Sequence, residues 1–251
     1  PVHSVNDLLK LVSGVDVRQR GPLGAQTDVS IRGGNYEQMT VLLNGINIGD
    51  PQTGHNAFDF PVDISEIERI EILEGPAASV YGTSSLLGAI NIVTKANRTS
   101  SVTLHAASGS FGSVTSGGRI NVARGKWNNQ LSGSFMRTDG YNRNKAGALN
   151  TDFRSQKAFY QGFYDDDDLS ISWHAGLSNK DFGSSTNYSS KYDDQFEHTF
   201  KTYTAVQAET RKGAVKWRPA IYWNHNYDRF ELFRDHAERY PFNYHRTDVY
   251  G

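Results

Sequence analysis

The chain contains no cysteine. A disulfide framework and a thiolate metal site are therefore excluded, while the redox compartment stays open. No stretch reaches 18 consecutive apolar residues, which removes a membrane-spanning helix. Charge of one sign is not in excess: 26 Lys and Arg stand against 27 Asp and Glu, and the basic residues form no stripe. Nucleic acid is accordingly not expected as a partner. The usual marks of catalysis are absent as well. The sequence has no GxSxG, no HExxH and no short paired His spacing, and the Gly-rich "GSFGSVTSGG" opens no helix that could seat a phosphate. No enzyme activity is expected.

What is present is aromatic and glycine-rich: 13 Tyr, 13 Phe, 4 Trp and 24 Gly in 251 residues. The mean hydropathy of -0.58 resembles that of a soluble protein. A transmembrane β-barrel has the same average, because its strands alternate lipid-facing and lumen-facing residues.

The two parts of the chain differ in grammar. Residues 1–96 mix signals. "SVNDLLKLVSGVDV" reads as a helix with Ser4 as N-cap, an apolar face of Leu8, Leu9, Leu11 and Val12, and Gly14 as its stop. Short strands follow in "DVSIRG", "MTVLLNG", "IERIEIL" and "AINIVTK". This is a small α+β unit. From Ser100 onward helical periodicity disappears. Leu169, Ile171, Trp173, Ala175 and Leu177 alternate with Ser170, Ser172, His174, Gly176 and Ser178. In "VKWRPAIYWN", Val215, Trp217, Pro219, Ile221 and Trp223 alternate in the same way. Period two over about ten residues is the signature of a membrane-barrel strand. Pro219 cannot donate to a ladder and predicts a bulge or weakened pairing.

Eight strands are expected, near 100–109, 113–125, 129–138, 153–164, 169–178, 202–211, 214–226 and 246–251. The links "GKWNN", "DDDD" and "RKG" are short, and those between them are long, except the first, "SGSFGS". Short turns at one end and long loops at the other are the habit of outer-membrane barrels. A domain the size of residues 1–96 does not fit in an eight-stranded lumen; plugged lumens belong to barrels of about 22 strands. The N-terminal "PVHSVNDLLK" has no basic leader, and the C-terminal "HRTDVYG" stops in a strand pattern. The chain is thus expected to be an interior fragment.

Two long motifs carry a family resemblance. "VSIRGGNYEQMTVLLNGINI" and "IERIEILEGPAASVYGTSSLLGAINIVTK" resemble the plug signature of TonB-dependent outer-membrane receptors, closely over residues 4–96 and only as barrel pattern beyond. The resemblance implies an α+β plug domain (1–96, its first part missing) followed by antiparallel transmembrane β-barrel strands (97–251), about 8 of an expected ~22. It implies an outer-membrane importer of a scarce small-molecule nutrient, set in lipid. The importer would be energised by the inner-membrane TonB–ExbB–ExbD complex through an N-terminal box lying before Pro1. A surface lipoprotein lid is a further partner known for such receptors.

Within that resemblance, three loops take the plug apex. They present Gln26, Asn35, Tyr36, Asp50, Gln52, Thr53, His55 and Asn56 as ligand contacts; plain loop solvation is the other reading of each. Arg32, Arg69, Glu71 and Glu74 are expected to pair with the barrel wall, where buried ion pairs serve switching more than stability; ordinary solvated charges are the alternative. The spacing from "LLNG" to "FPVDISEIERIE" is similar to that in cobalamin transporters, and "WNHNYDRFELFRD" with "NYHRTDVYG" resembles a cobalamin-receptor-like branch of Bacteroidetes type. Iron-chelate (siderophore) or haem receptors of the same family are the alternative, and a soluble carbohydrate-binding β protein is the alternative of another class. No cofactor is required. Cobalamin receptors of the best-known type bind calcium in early loops, and Asp181, Asp193 and Asp194 are the residues offered for it here, though without EF-hand spacing. "DDDD" at Asp165–Asp168 is read as a turn.

Overall fold

The computed structural model describes residues 4–12, 14–19, 27–31, 39–51, 59–75, 88–140 and 150–251. The chain opens with helix α1 (Val5–Leu9), capped by Ser4, whose Oγ accepts from the Asp7 amide at 3.2 Å. Val5 and Leu9, one turn apart, are buried. The helix is shorter than expected: Leu11 lies beyond it and is exposed. Gly14, at φ +81°, makes the left-handed step into the next strand.

Strands β1 (Val15–Gln19) and β2 (Thr27–Ile31) pair antiparallel. A second sheet holds β3 (Met39–Leu43), β4 (Ile46–Asn47), β5 (Ile67–Glu74) and β6 (Gly88–Thr94) in the order β4-β3-β6-β5, with β3 and β6 parallel. Asn44 and Gly45, both at positive φ, turn β3 into β4, as a tight hairpin requires. Strand β5 departs from plain alternation along "IERIEIL". Its register shifts between Ile67 and Arg69, so Ile67 joins Ile70 and Ile72 on the core side.

The remaining strands form one eight-stranded antiparallel meander: β7 (Ser101–Ser108), β8 (Val114–Arg124), β9 (Trp127–Thr138), β10 (Phe153–Asp165), β11 (Leu169–Ser185), β12 (Gln195–Thr210), β13 (Ala220–Glu231) and β14 (Asn243–Tyr250). Each pairs only with its neighbours in sequence. Several strand limits from β11 to β14 differ from expectation. Strands β11 and β12 run on to Ser185 and back from Gln195, so the long loop expected over 179–200 contracts to 186–194. Strand β13 starts at Ala220 because Pro219 has no N–H to contribute. The carbonyls of Pro219 and Trp217 still accept from Ala208 and Thr210, both at 3.0 Å. The link 211–219 is therefore longer than "RKG", and the alternation of link lengths does not extend to it.

The sheet has two distinct faces. One register row reads Ile120, Leu131, Tyr160, Ala175, Thr204, Trp223 across β8 to β13. That face leaves large apolar groups uncovered, among them Leu104 at 79%, Ile221 at 68% and Leu131 at 55% exposure. So broad an apolar surface suits a hydrocarbon surround and not water. The opposite face is polar and covered: Gln130, Gln161, Ser178, Lys201 and Asn224 are all buried there. The first domain covers it.

Candidate functional site

Contact between the first domain and the strand wall begins with apolar packing. Phe159 of β10 and Tyr203 and Ala205 of β12 belong to the same core cluster as Leu43, Ile48, Phe60 and Ile90. Gly176 of β11 makes room for it: a Cβ there would come within 2.9 Å of Pro61 and 2.8 Å of the Tyr203 ring.

Around this core the seam is polar and has three stations. At the first, wall side chains grip the segment Ile48–Asp50. Lys201 Nζ donates to the Ile48 carbonyl (3.0 Å), Asn224 Nδ2 to the Gly49 carbonyl (3.2 Å) and Thr247 Oγ1 to Asp50 Oδ1 (3.0 Å). The second is Asp59, buried between Ser178 Oγ (3.1 Å), Thr199 Oγ1 (3.0 Å) and Lys180 Nζ (3.7 Å). Burial pushes its carboxyl up; Lys180, Lys157 and Lys201, with the Thr199 hydroxyl, more than reverse that and hold it below the usual carboxylate value. The third is Glu66, 1% exposed, which accepts from Gln130 Nε2 at 2.5 Å and lies 3.5 Å from Arg119. Here burial prevails over Arg119 and Gln130, and the carboxyl is raised.

Among the described residues, the plug carboxylates that meet this part of the wall are Asp59 and Glu66, which were not among those expected to. Within this chain Arg69 pairs with Glu71 (2.8 Å) and Glu68 (3.4 Å), and Glu71 also accepts from Asn91. Their neighbours are residues of the same sheet and not of the wall. The backbone of Glu74 pairs with Gly88. Asp59 and Glu66 were missed because single carboxylates in "AFDFP" and "ISEIER" look like loop and strand charges. Asp59 did carry a signal, since it sits between two phenylalanines in a segment that had to be covered.

Of the expected ligand contacts, Gln26, Asn35, Tyr36, Gln52, Thr53, His55 and Asn56 lie outside the described residues, as does Arg32. Asp50 is 8% exposed and bonded to the wall. Nor do Asp181, Asp193 and Asp194 gather into a cation site. Asp181 lies within β11 against His198 Nδ1 at 2.6 Å, and the Asp194 carbonyl accepts from the Arg234 amide. Among the described residues no cluster of three metal-ligating side chains forms.

The two ends of the sheet are tied differently. At the end with the 166–168 turn, Asp166 accepts from the amides of Asp168 and Leu169 and from Tyr164, which hold its carboxyl far below the usual range. Arg98, Lys126 and Arg211 surround Asp165 and Asp166, so "DDDD" is a turn, as expected. At the other end Arg234 forks onto Asp152 (2.6 and 3.1 Å), reaches Asn150 (3.0 Å) and lies 4.4 Å over the Phe196 ring. Residues 150–152 and the links 186–194 and 232–242 meet there.

Comparison with known proteins agrees with this architecture. Residues 1–89 match the family model described as TonB-dependent Receptor Plug Domain. The chain is 30% identical over 207 residues to the vitamin B12 transporter BtuB of Vibrio vulnificus (strain CMCP6), covering 77% of this chain and 34% of that protein. It therefore spans about a third of the length of this curated relative. Among solved structures, the copper transporter OprC superposes with a TM-score of 0.77 at 16% identity, covering 100% of this chain and 39% of that one. The siderophore receptor PirA from Acinetobacter baumannii gives 0.69 at 16%, covering 100% and 42%. At these identities the likeness to solved structures is one of fold. Residues 1–89 thus belong to the plug-domain family of TonB-dependent receptors, and the meander they are fitted against, apolar on its outer face, shares the fold of the solved transporters and receptors that superpose on it.

Proposed function

We propose that the complete protein is an active importer of a scarce nutrient, with cobalamin or a related corrinoid as cargo. The observation that carries the transport reading is the seam. The plug is held by single hydrogen bonds and by Asp59 among lysines, around a small apolar contact. Such contacts re-form readily in water, so a mechanical pull can part them and a release can restore them. The pull would come from the TonB–ExbB–ExbD complex through an N-terminal box, and a surface lipoprotein lid would retain cargo above the plug. The cargo undergoes no chemical step.

The corrinoid assignment is supported by the similarity to a vitamin B12 transporter and by the loop spacing after "LLNG". An iron chelate or haem is the second reading, favoured by the fold shared with a siderophore receptor. Calorimetric titration of cyanocobalamin into the complete receptor in detergent decides between them. Saturable binding supports the corrinoid, and repeating it with calcium and then with chelator tests the calcium expectation. Absence of binding in both moves the cargo to iron chelates or haem.

A further inference from the structure

The outer face of the sheet is not evenly filled. Trp173 of β11 turns its ring toward β10. Its Nε1 donates to the Tyr160 hydroxyl at 3.1 Å, and that hydroxyl donates to Asn129 Oδ1 at 2.7 Å. The ring covers Gly162, where a Cβ would have no room. Trp223 of β13 turns the other way, toward β14, and its Nε1 donates to Asp248 Oδ1 at 3.0 Å. Between the two rings β12 presents Thr204 and Val206, and Val206 is 46% exposed. The result is a groove of about 600 Å³ lined by Trp173, Thr204, Val206, Ile221, Trp223 and Tyr250. Hydrogen bonds hold both rings apart, so closing the groove would break them.

Farther along the same strands this face becomes cationic. Arg246 of β14 stands opposite Tyr227, and Arg229 lies two positions beyond on β13. They are about 14 and 20 Å along the strand from Trp223. Arg246 is exposed and the Arg229 side chain is 34% exposed. The neighbouring carboxylates are engaged. Asp248 accepts from Trp223 and lies 2.9 Å from His225 Nδ1, Asp181 lies 2.6 Å from His198 Nδ1, and Glu231 accepts from the Asp235 amide at 2.8 Å and meets Arg229 at 3.0 Å. Arg154, across from Asp181, extends the row.

The two features are one lipid leaflet apart. A hydrocarbon layer is ~30 Å thick, so a leaflet is about 15 Å deep. A barrel strand tilted by about 45° turns the separation of groove and cations into about 10–14 Å of depth. Guanidinium groups fork onto phosphate oxygens, and cations at a membrane surface attract anionic headgroups. We infer that this face binds one anionic, phosphate-bearing membrane lipid, with an acyl chain over Thr204 and Val206 between the two tryptophans and the phosphate on Arg229 and Arg246. The groove accepts the chain and the arginines select the headgroup.

The test is native mass spectrometry of the complete receptor in detergent, with dimyristoyl phosphatidylglycerol or dimyristoyl phosphatidylcholine added at equal concentration. The chains of the two lipids are the same, so a difference between them reads the headgroup. The unaltered receptor should retain one phosphatidylglycerol in preference to phosphatidylcholine. Arg229→Gln with Arg246→Gln should reduce that preference about tenfold. Val206→Trp fills the groove and should reduce retention of both lipids; Thr204→Phe fills it from the adjoining position and covers a failure of the first variant to fold. Equal retention of the two lipids by the unaltered receptor overturns the proposal, as does an unchanged preference in the arginine variant. Unchanged retention in both groove variants, or displacement of phosphatidylglycerol by inorganic phosphate, overturns the seating of the chain. A dimer mass without lipid would assign the groove to a second copy of the receptor and overturn the proposal too.

Discussion

Asp59 of the plug accepts a hydrogen bond from Thr199 of the twelfth strand at 3.0 Å, across 140 positions of sequence. The same carboxylate faces Lys180, and Lys157 and Lys201 act on it from further off. One plug side chain is therefore a counter-charge shared by several wall cations, to which Asp63 and Asp50 of the plug also contribute. Asp59→Ala leaves Lys180 buried without the carboxylate it faces and should cost about 3–5 kcal/mol, the range for breaking a buried pair from one side. Asp59→Asn, which keeps the hydroxyl contacts, should cost less. Thermal unfolding of the complete receptor checks both.

The acid limb of stability follows from the same group. The Asp59 pKa in the folded protein is below its ordinary value of 3.8, so the unfolded chain binds the proton more readily. The stabilisation is complete above that ordinary value and is lost as the pH falls through the lower folded one. The thermal midpoint of Asp59→Asn should accordingly change less than that of the unaltered protein below pH 3.8.

Close approach at Gly176 yields a second expectation. A side chain there meets Pro61 and Tyr203 at once, so Gly176→Val should push plug and wall apart. The cost should be about 1–3 kcal/mol, as for overpacking elsewhere. Hydrogen exchange should rise in β12 and in the plug segment 59–62. Gly162→Ala, which meets the Trp173 ring on the lipid side, serves as the comparison and should leave plug exchange unaltered.

Arg234 ties the links at its end of the sheet. Its two-pronged contact with Asp152 has a geometry that lysine cannot reproduce. Arg234→Lys should speed protease cleavage within 139–152 and 186–194, and Arg234→Ala should do so further. Because the side chain is 30% exposed, the effect on overall stability should be modest, about 1 kcal/mol. Equal cleavage rates in all three proteins would show that the links are held by other contacts.

At the opposite end of the sheet, Asp166→Ala removes the acceptor for the Asp168 and Leu169 amides. Those two amides should exchange faster, while β10 and β11 above the turn keep their protection.

Much of the wall could be read directly from sequence where lipid imposes alternation, as at Leu169 to Leu177. It was lost where the strands continue beyond the apolar band. In "NKDFGSS" and "QFEHTF" polar residues lie on both faces, and hydropathy then has no period to detect, so β11 and β12 were drawn too short. The plug was legible from its motifs. Its attachments were not, because Lys180, Lys201 and Asn224 have the same appearance as any lumen-facing polar residue. What distinguishes them is which plug atom lies opposite, and that is a property of distant segments.

The shared core has a consequence for how the receptor is made. Phe159, Tyr203 and Ala205 complete the apolar interior of the plug, so part of the gate is built from its frame. A plug synthesised first, without the tenth and twelfth strands beside it, has an open flank. Its final packing needs the wall beside it, so plug and wall do not reach their mature form independently.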